Sequence, residues 1–135
     1  MQADLLELVW QRANRRCEYC GFPAEWAYQP FQIDHIIAEK HDGQTVADNL
    51  ALACFDCNSY KGPNIAGFDP ETGELSRLYH PRRDRWRDHF VWEGPRLIGR
   101  TAIGRTTIRV LQINNPDALN VRRLLLAVGD ILEPE

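Results

Sequence analysis

The sequence predicts an α+β fold, and three features of the chain lead to that prediction. An apolar stripe with helical spacing occupies residues 3–14, at the start of the chain. Stretches typical of strands occur at residues 31–34, where apolar and polar residues alternate, and within 88–99, where two short stretches flank Gly94-Pro95. Two CxxC pairs enclose a stretch of 33 residues in the first half, which indicates a small core built around their sulfur atoms.

The first half is predicted to contain a helix, a hairpin, a loop and a second helix. Residues 24–34 are predicted to form a hairpin whose second strand is 31–34. The polar residues 38–48 are predicted to form a loop. Residues 49–53 then lead into a short helix over 54–60, which Gly62-Pro63 ends. The apolar stripe of the first helix consists of Leu5, Leu6, Val9, Trp10 and Ala13.

The second half is predicted to be irregular at first and then to contain strands and helices. Its elements are an irregular stretch over 64–80 with a turn at 69–73, two short strands around Gly94-Pro95, a helix over 102–113 capped by Thr101, and a further helix after Asn115-Pro116-Asp117. We divide the chain into a core with the N-terminal helix, residues 1–68, and a C-terminal extension packed on it, residues 69–135.

The length and composition suit one modest domain in a reducing compartment. The chain has 135 residues and contains no apolar run near the roughly 20 residues that a membrane helix needs, so no membrane association is expected. Its start, Met1-Gln2-Ala3-Asp4, lacks the basic residues of a secretory signal. These features predict a cytoplasmic protein whose thiols stay reduced.

The charge of the chain is mildly negative and unevenly distributed. The net charge is −3, and residues 1–64 hold five basic and nine acidic side chains. Residues 65–135 hold ten acidic side chains and eleven basic ones, all of which are arginine. Arginine suits bidentate contacts to phosphate, which favours a nucleic-acid partner. The alternative is that the arginines pair with nearby carboxylates on a solvated surface.

The four cysteines have the spacing of a structural zinc site. The pairs are Cys17/Cys20 and Cys54/Cys57, and every cysteine of the chain belongs to one of them. Four thiolates in two CxxC pairs are a standard tetrahedral ligand set for Zn²⁺. Because a core this small buries little apolar surface, we expect metal binding to supply much of its folding free energy.

The residues between and beside the cysteine pairs sharpen this interpretation. They include the segments Ile33-Asp34-His35-Ile36-Ile37, Asp48-Asn49-Leu50 and Cys54-Phe55-Asp56-Cys57-Asn58-Ser59-Tyr60-Lys61-Gly62. In order and spacing, residues 17–62 resemble the HNH endonuclease family, and the chain as a whole resembles its small stand-alone bacterial members. The resemblance implies a ββα-metal (His-Me finger) core inside the zinc clamp. It also implies hydrolysis of a nucleic-acid phosphodiester, with DNA the expected substrate.

The resemblance assigns a role to each residue of the motif. His35 matches the general base, since an imidazole titrates near neutrality and can take a proton from the attacking water. Asp34 and Asn58 match the oxygen ligands of a catalytic Mg²⁺ or another divalent cation. Asn49 matches the residue that ties down the loop carrying the base.

Two further groups are expected to contact the substrate. Lys61 lies three residues after Asn58 on the same predicted helix, so both share a face and Lys61 is expected to meet a phosphate. The alternative is a solvated lysine at a helix end. Arg82, Arg83, Arg85 and Arg87 form the densest basic cluster of the chain and are expected to hold the phosphate backbone.

The main functional prediction is therefore a metal-dependent HNH endonuclease. The rival prediction is a zinc-stabilised module that binds nucleic acid without cleaving it, and a third is a zinc domain that binds protein. A module of either kind has no need of Asp34, His35 and Asn58 together, which favours the enzyme.

Overall fold

The computed structural model describes residues 1–129, and within that range the fold mixes helices and strands, as the sequence predicts. The helices are α1 (Ala3–Arg12), α2 (Phe55–Lys61), α3 (Trp86–His89), α4 (Ala102–Val110) and α5 (Pro116–Ala127). The strands are β1 (Gln32–His35), β2 (Leu50–Ala53), β3 (Ala66–Phe68), β4 (Leu75–Arg77), β5 (Phe90–Glu93) and β6 (Arg96–Gly99). They pair consecutively into three two-stranded antiparallel sheets.

The first sheet differs from the predicted hairpin. β1 pairs with β2, with Gln32 opposite Ala53 and His35 opposite Leu50. Residues 24–26 form a turn of 3₁₀-helix instead of a strand, so the predicted hairpin over 24–34 is wrong. Residues 49–53 lead into a helix as predicted, but the prediction gives them no element of their own, whereas 50–53 form the partner strand of β1.

Packing on both faces explains why β2 carries no visible strand pattern. All four of its residues are buried, so the sequence shows an unbroken apolar run with no alternation. Leu50 and Leu52 pack with α1 residues Val9 and Ala13. Ala51 and Ala53 belong to a second cluster that includes the four cysteines. The strand therefore forms the wall between two apolar clusters.

Helix α2 follows β2 directly and begins with a sulfur cap. The Sγ atom of Cys54 accepts a hydrogen bond from the backbone N–H of Cys57 at 3.4 Å. The helix ends at Lys61, and Gly62 follows with a φ of +50°, a conformation that favours glycine. The predicted short helix and its glycine end are thus present.

The segment predicted to be irregular contains the hairpin β3–β4. Asp69, at the start of its turn, accepts hydrogen bonds from the backbone N–H of Glu71 and from the Thr72 hydroxyl. Gly67 lets the hairpin approach α4, since a Cβ atom there would lie 2.6 Å from a methyl carbon of Val110. The hairpin runs across the predicted domain boundary between residues 68 and 69.

The remaining elements follow the sequence prediction closely. β5 and β6 flank Gly94-Pro95 as expected. Thr101 caps α4 by accepting from the backbone N–H of Gly104 at 3.1 Å, and Asn115 caps α5 in the same way through Ala118. α4 ends at Val110, three residues before the predicted end at 113.

One apolar cluster joins the two predicted parts of the chain. It contains Tyr19 and Ile36 from the first part together with Trp86, Phe90 and Leu111 from the second. The indole N–H of Trp86 donates to the backbone oxygen of Tyr19 at 2.9 Å. The C-terminal residues described therefore pack on the core, while the last six residues of the predicted extension lie outside the described range. Within residues 1–129 no helix has the length and apolar character that crossing a membrane requires.

Candidate metal and catalytic site

The four cysteines lie together in a geometry that suits a metal ion. Their Sγ atoms are all within 4.8 Å of one another, and those of Cys20 and Cys54 are 3.8 Å apart. A tetrahedral Zn²⁺ with Zn–S distances of about 2.3 Å separates its sulfur ligands by roughly 3.8 Å. All four cysteines are buried. The donor set and its spacing thus fit one tetrahedral metal ion.

The electrostatics of the cluster also call for a cation. Hydrogen bonds among the thiols, first of all with Cys17, lower the pKa of Cys20 well below its usual value and raise those of Cys54 and Cys57. Backbone N–H groups of Cys20 and Cys57 point at Sγ atoms of Cys17 and Cys54, at 3.5 and 3.4 Å. A deprotonated Cys20 would be a buried negative charge, and a positive ion among the four sulfur atoms would compensate it.

Asp34 lies on β1 with its carboxylate in the interior of the protein. Its side chain is 4% exposed. The Tyr19 hydroxyl donates to Oδ2 at 2.6 Å, and the Lys61 ammonium lies 3.2 Å from Oδ1 and 3.1 Å from Oδ2. Burial raises the pKa of Asp34, while Lys61 and the Tyr19 hydrogen bond oppose that rise. The hydroxyl of Tyr19 is itself deeply buried, which together with Asp34 raises its pKa well above the usual value.

Lys61 lies in the interior, where it cannot serve as a solvated phosphate contact. It is 1% exposed, and its ammonium also donates to the backbone oxygens of His35 at 3.2 Å and Ile36 at 3.0 Å. One carboxylate and two carbonyls therefore take up its three N–H donors. Both sequence interpretations, a phosphate ligand and an exposed lysine at a helix end, disagree with this position. Lys61 instead ties the end of α2 to the end of β1.

Removing the Lys61 ammonium should destabilise the protein strongly. Lys61→Met leaves the buried Asp34 carboxylate without its counter-charge, and breaking a buried ion pair in this way costs about 3–5 kcal/mol. Urea unfolding of the metal-loaded protein measures the loss. The other lysine of the chain, Lys40, is exposed, so Lys40→Met is the matched control and should leave the midpoint nearly unchanged. Equal midpoints for the two variants would contradict the assigned role of Lys61.

His35 follows Asp34 on β1 and therefore projects to the opposite side of the strand. Its ring is half-buried, and Nε2 lies 2.8 Å from the hydroxyl oxygen of Thr45. A hydroxyl can donate to a ring nitrogen or accept from it, so this contact orients the ring in either tautomer. The strand thus presents a carboxylate to the interior and an imidazole to the loop that follows.

Asn49 holds that loop against the end of β1. Its side-chain oxygen accepts from the backbone N–H of Ile37 at 2.9 Å, and its amide nitrogen donates to the backbone oxygens of Ile37 and Gln44, each at 2.9 Å. Gly43 makes the close approach possible, since a Cβ atom there would lie 1.6 Å from the Ile37 oxygen. The Asn49 side chain thus joins the end of β1 to the loop that contains Gln44.

Asn58 lies on α2 directly after Cys57, which faces the sulfur cluster, and is half-buried. Lys61, one turn further along the same helix, reaches Asp34. Helix α2 therefore connects the metal cluster at its start with the β1 carboxylate at its end. Asn58 occupies the turn between these two contacts.

The predicted arginine cluster divides between the interior and the surface. Arg82 forms an ion pair with Glu18 and its side chain is 15% exposed. Arg83, Arg85 and Arg87 are exposed. The neighbouring carboxylate of Asp84 pairs with Arg77, at 2.7 and 2.9 Å.

Several residues of the site carry no signal in the sequence. Tyr19 stands between the cysteines of the first pair, where nothing indicates a contact with Asp34, 15 residues away. Thr45 is one polar residue in a polar loop. Arg12, on α1, donates to the backbone oxygens of Ala47 and Leu50, at 2.7 and 2.5 Å, and so supports the segment that carries Asn49. Each contact depends on tertiary structure.

Comparison with known proteins agrees with this arrangement. Residues 17–64 match the family model described as HNH endonuclease, and so form an HNH domain. The chain is similar to the Septu protein PtuB of Bacillus thuringiensis, with 24% identity over 123 residues. The match covers 90% of this chain but 45% of that protein, so the chain spans less than half of its relative. No solved structure matches the chain.

Proposed function

We propose that this protein is a metal-dependent HNH endonuclease that hydrolyses phosphodiester bonds in nucleic acid, with DNA as its substrate. The observation that carries the proposal is the position of Asp34 and His35, which are consecutive at the end of β1. Helix α2 lies on the Asp34 side of the strand, and the loop held by Asn49 follows His35. Nuclease activity of the matched family supports the reaction class. A ββα-metal core composed of β1, β2 and α2 is part of the proposal.

In this proposal each residue of the candidate site has one task. His35, oriented by Thr45, accepts a proton from the water that attacks phosphorus. Asn49 keeps the loop after β1 in place, which fixes the position of the His35 backbone. Asp34 and Asn58 provide the oxygen ligands of a divalent cation, and Lys61 holds the Asp34 carboxylate in position.

The donor types at Asp34 and Asn58 suit a hard cation such as Mg²⁺. The carboxylate of Asp34 has about four acceptor positions, and Tyr19 and Lys61 leave part of that capacity free. When bound, the cation stabilises negative charge on the phosphate and on the departing oxygen. The four cysteines hold a separate structural ion, for which Zn²⁺ is the proposed metal.

A second candidate function follows from the Asp34–Lys61 pair. An aspartate whose charge is already balanced by a buried lysine has a structural explanation without any catalytic metal. On that basis the protein is a zinc-stabilised module that binds nucleic acid and does not cleave it. The two functions differ in their response to Mg²⁺.

Selective metal removal separates the two candidates. Brief dialysis against EDTA should abolish cleavage of plasmid DNA while zinc remains bound, because two oxygen ligands hold Mg²⁺ weakly and four thiolates hold zinc tightly. Addition of Mg²⁺ or Mn²⁺ should restore cleavage, and Asn58→Ala should weaken the restoration. Elemental analysis checks that the zinc content stays near one per chain. Cleavage that persists in EDTA contradicts the catalytic-metal proposal, and no cleavage under any condition favours the binding module.

A further inference from the structure

A second charged cavity lies on the protein, lined by four arginines from distant parts of the chain. Its volume is about 370 Å³, far more than the roughly 30 Å³ that a water molecule occupies in the liquid. Arg12 comes from α1, and Arg82, Arg85 and Arg87 from the segment around α3. None of these residues belongs to the HNH motif at 33–37, 48–50 and 54–62.

The balance of charge in this arginine cavity is positive. Two carboxylates, Glu18 and Asp84, also line it, so its four arginines leave a formal charge of +2. Both carboxylates are already engaged. Glu18 accepts from the backbone N–H of Leu52 and pairs with Arg82, while Asp84 is bound in bidentate fashion by Arg77. The lining of the cavity therefore keeps a formal positive charge after these contacts are made.

Two of the arginines are held close together with unused donors. The guanidinium hydrogen bonds that Arg12 and Arg82 make to the described residues come from Nη2. The Nε–H of each is buried and has no hydrogen-bond partner within residues 1–129. Burial lowers the pKa of Arg82 to about 10, and the nearby charge of Arg12 contributes. Two partly desolvated guanidinium groups that line the same cavity repel each other, and the Glu18 carboxylate balances the charge of only one of them.

We propose that the arginine cavity binds a phosphate group. The planar guanidinium of arginine matches phosphate oxygens with paired N–H donors, and a tetrahedral anion can contact several of them at once. The same chemistry is offered by a backbone phosphate of nucleic acid and by a free nucleotide. If the ligand is a backbone phosphate, the cavity binds the substrate of the proposed nuclease. That part of the inference rests on the proposed function.

The position of the cavity links it to the candidate active site. Arg12 bonds to the backbone oxygens of Ala47 and Leu50, which flank Asn49. Asn49 in turn holds Ile37, two residues after His35. A nucleic-acid strand bound through Arg12 and Arg82 would therefore have a fixed position relative to the loop next to His35, the proposed general base.

Binding measured without cleavage tests the inference. We would titrate the zinc-loaded protein, in EDTA to prevent cleavage, with inorganic phosphate, with a mononucleotide and with a short DNA duplex. The NMR chemical shifts of the Trp86 indole, which lines the cavity, report binding of inorganic phosphate and of the mononucleotide. A titration with chloride at equal ionic strength is the reference. The salt dependence of duplex affinity reports phosphate contacts.

Matched arginine variants locate the site. Arg85→Gln changes an exposed side chain of the cavity and should weaken phosphate binding several-fold. Arg83→Gln is the control, because Arg83 is equally exposed but lines a different cavity with Lys61 and His80. Arg82→Gln should weaken phosphate binding more than Arg85→Gln does, and circular dichroism checks that its fold is intact. If Arg82→Gln does not fold, Arg85→Gln still decides the test.

The outcomes distinguish a backbone phosphate from a free nucleotide as the ligand. They also distinguish failure of the cavity proposal from failure of the nuclease proposal. A backbone phosphate predicts that Arg85→Gln lowers the salt slope for duplex by about one unit while Arg83→Gln does not. A free nucleotide predicts that the mononucleotide binds tightly and that the duplex slope is the same in both variants. Equal phosphate binding by wild type and both variants overturns the inference. Absence of cleavage alone bears only on the nuclease proposal, because none of these measurements requires cleavage.

Discussion

Replacement of His35 by alanine should reduce DNA cleavage by about 10²–10⁴-fold, the usual contribution of a general base. The imidazole is half-buried at the end of β1, and its ring contact among the described residues is with Thr45 in the exposed loop. It is neither a ligand of the cysteine cluster nor part of an apolar cluster. The variant should therefore lose activity while it keeps its fold.

The measurement is the rate of plasmid nicking with Mg²⁺ present, together with zinc content and the urea midpoint of each variant. His41 supplies a matched control, since it is an exposed histidine six residues further along the same segment. His41→Ala should cleave at nearly the wild-type rate. Thr45→Val, which removes the hydroxyl that orients the ring, should cause a smaller loss than His35→Ala.

Two outcomes would assign His35 to another role. Unchanged cleavage by His35→Ala would show that a different group takes the proton. A large loss of stability in that variant would show a structural role instead. Retained DNA binding with lost cleavage is the result that the proposal expects.

The sequence predicts the cysteine cluster well because each half of that cluster depends on local spacing. A CxxC pair brings two sulfur atoms to one side of a short turn, and two such pairs complete a tetrahedron. The cap of α4 by Thr101 and that of α5 by Asn115 are local in the same sense, since each involves a backbone N–H three residues ahead. Predictions of this kind need no knowledge of the tertiary fold.

The predictions that failed depend on partners distant in sequence. Strand β2 is buried on both faces, so its residues show no alternation and the sequence indicates no strand there. Helical spacing places Lys61 beside Asn58 and predicts a phosphate contact, whereas its ammonium is buried. Its partner Asp34 lies 27 residues earlier, and only the pairing of β1 with β2 brings that carboxylate beneath α2. A buried charge cannot be recognised from sequence until its partner is known.

Loss of the structural metal should unfold the HNH domain, which is the largest effect on stability that we expect. Zinc binding to four thiolates is worth about 10–16 kcal/mol in zinc-finger peptides. The whole stability of a typical domain is about 5–15 kcal/mol. Helix α2 has seven residues and is too short to be stable alone, and its first turn is capped by the Cys54 sulfur. Without the metal, the thiols at the start of this helix lose their common ligand, and the Lys61–Asp34 pair at its end is worth less than the zinc site.

Cys57→Ser is the variant that tests this expectation, and elemental analysis with circular dichroism is the measurement. The variant should lose about one zinc per chain and much of its helical signal. Ser59→Ala, an exposed position on the same helix, is the control and should retain both. The loss should extend to the C-terminal helices, because Leu111, Ala118 and Val121 line one cavity with Cys20, Cys54 and Cys57. If Cys57→Ser kept a native spectrum and a cooperative urea transition with no zinc bound, the core would be stable by its apolar packing alone and the cysteine cluster would need another explanation.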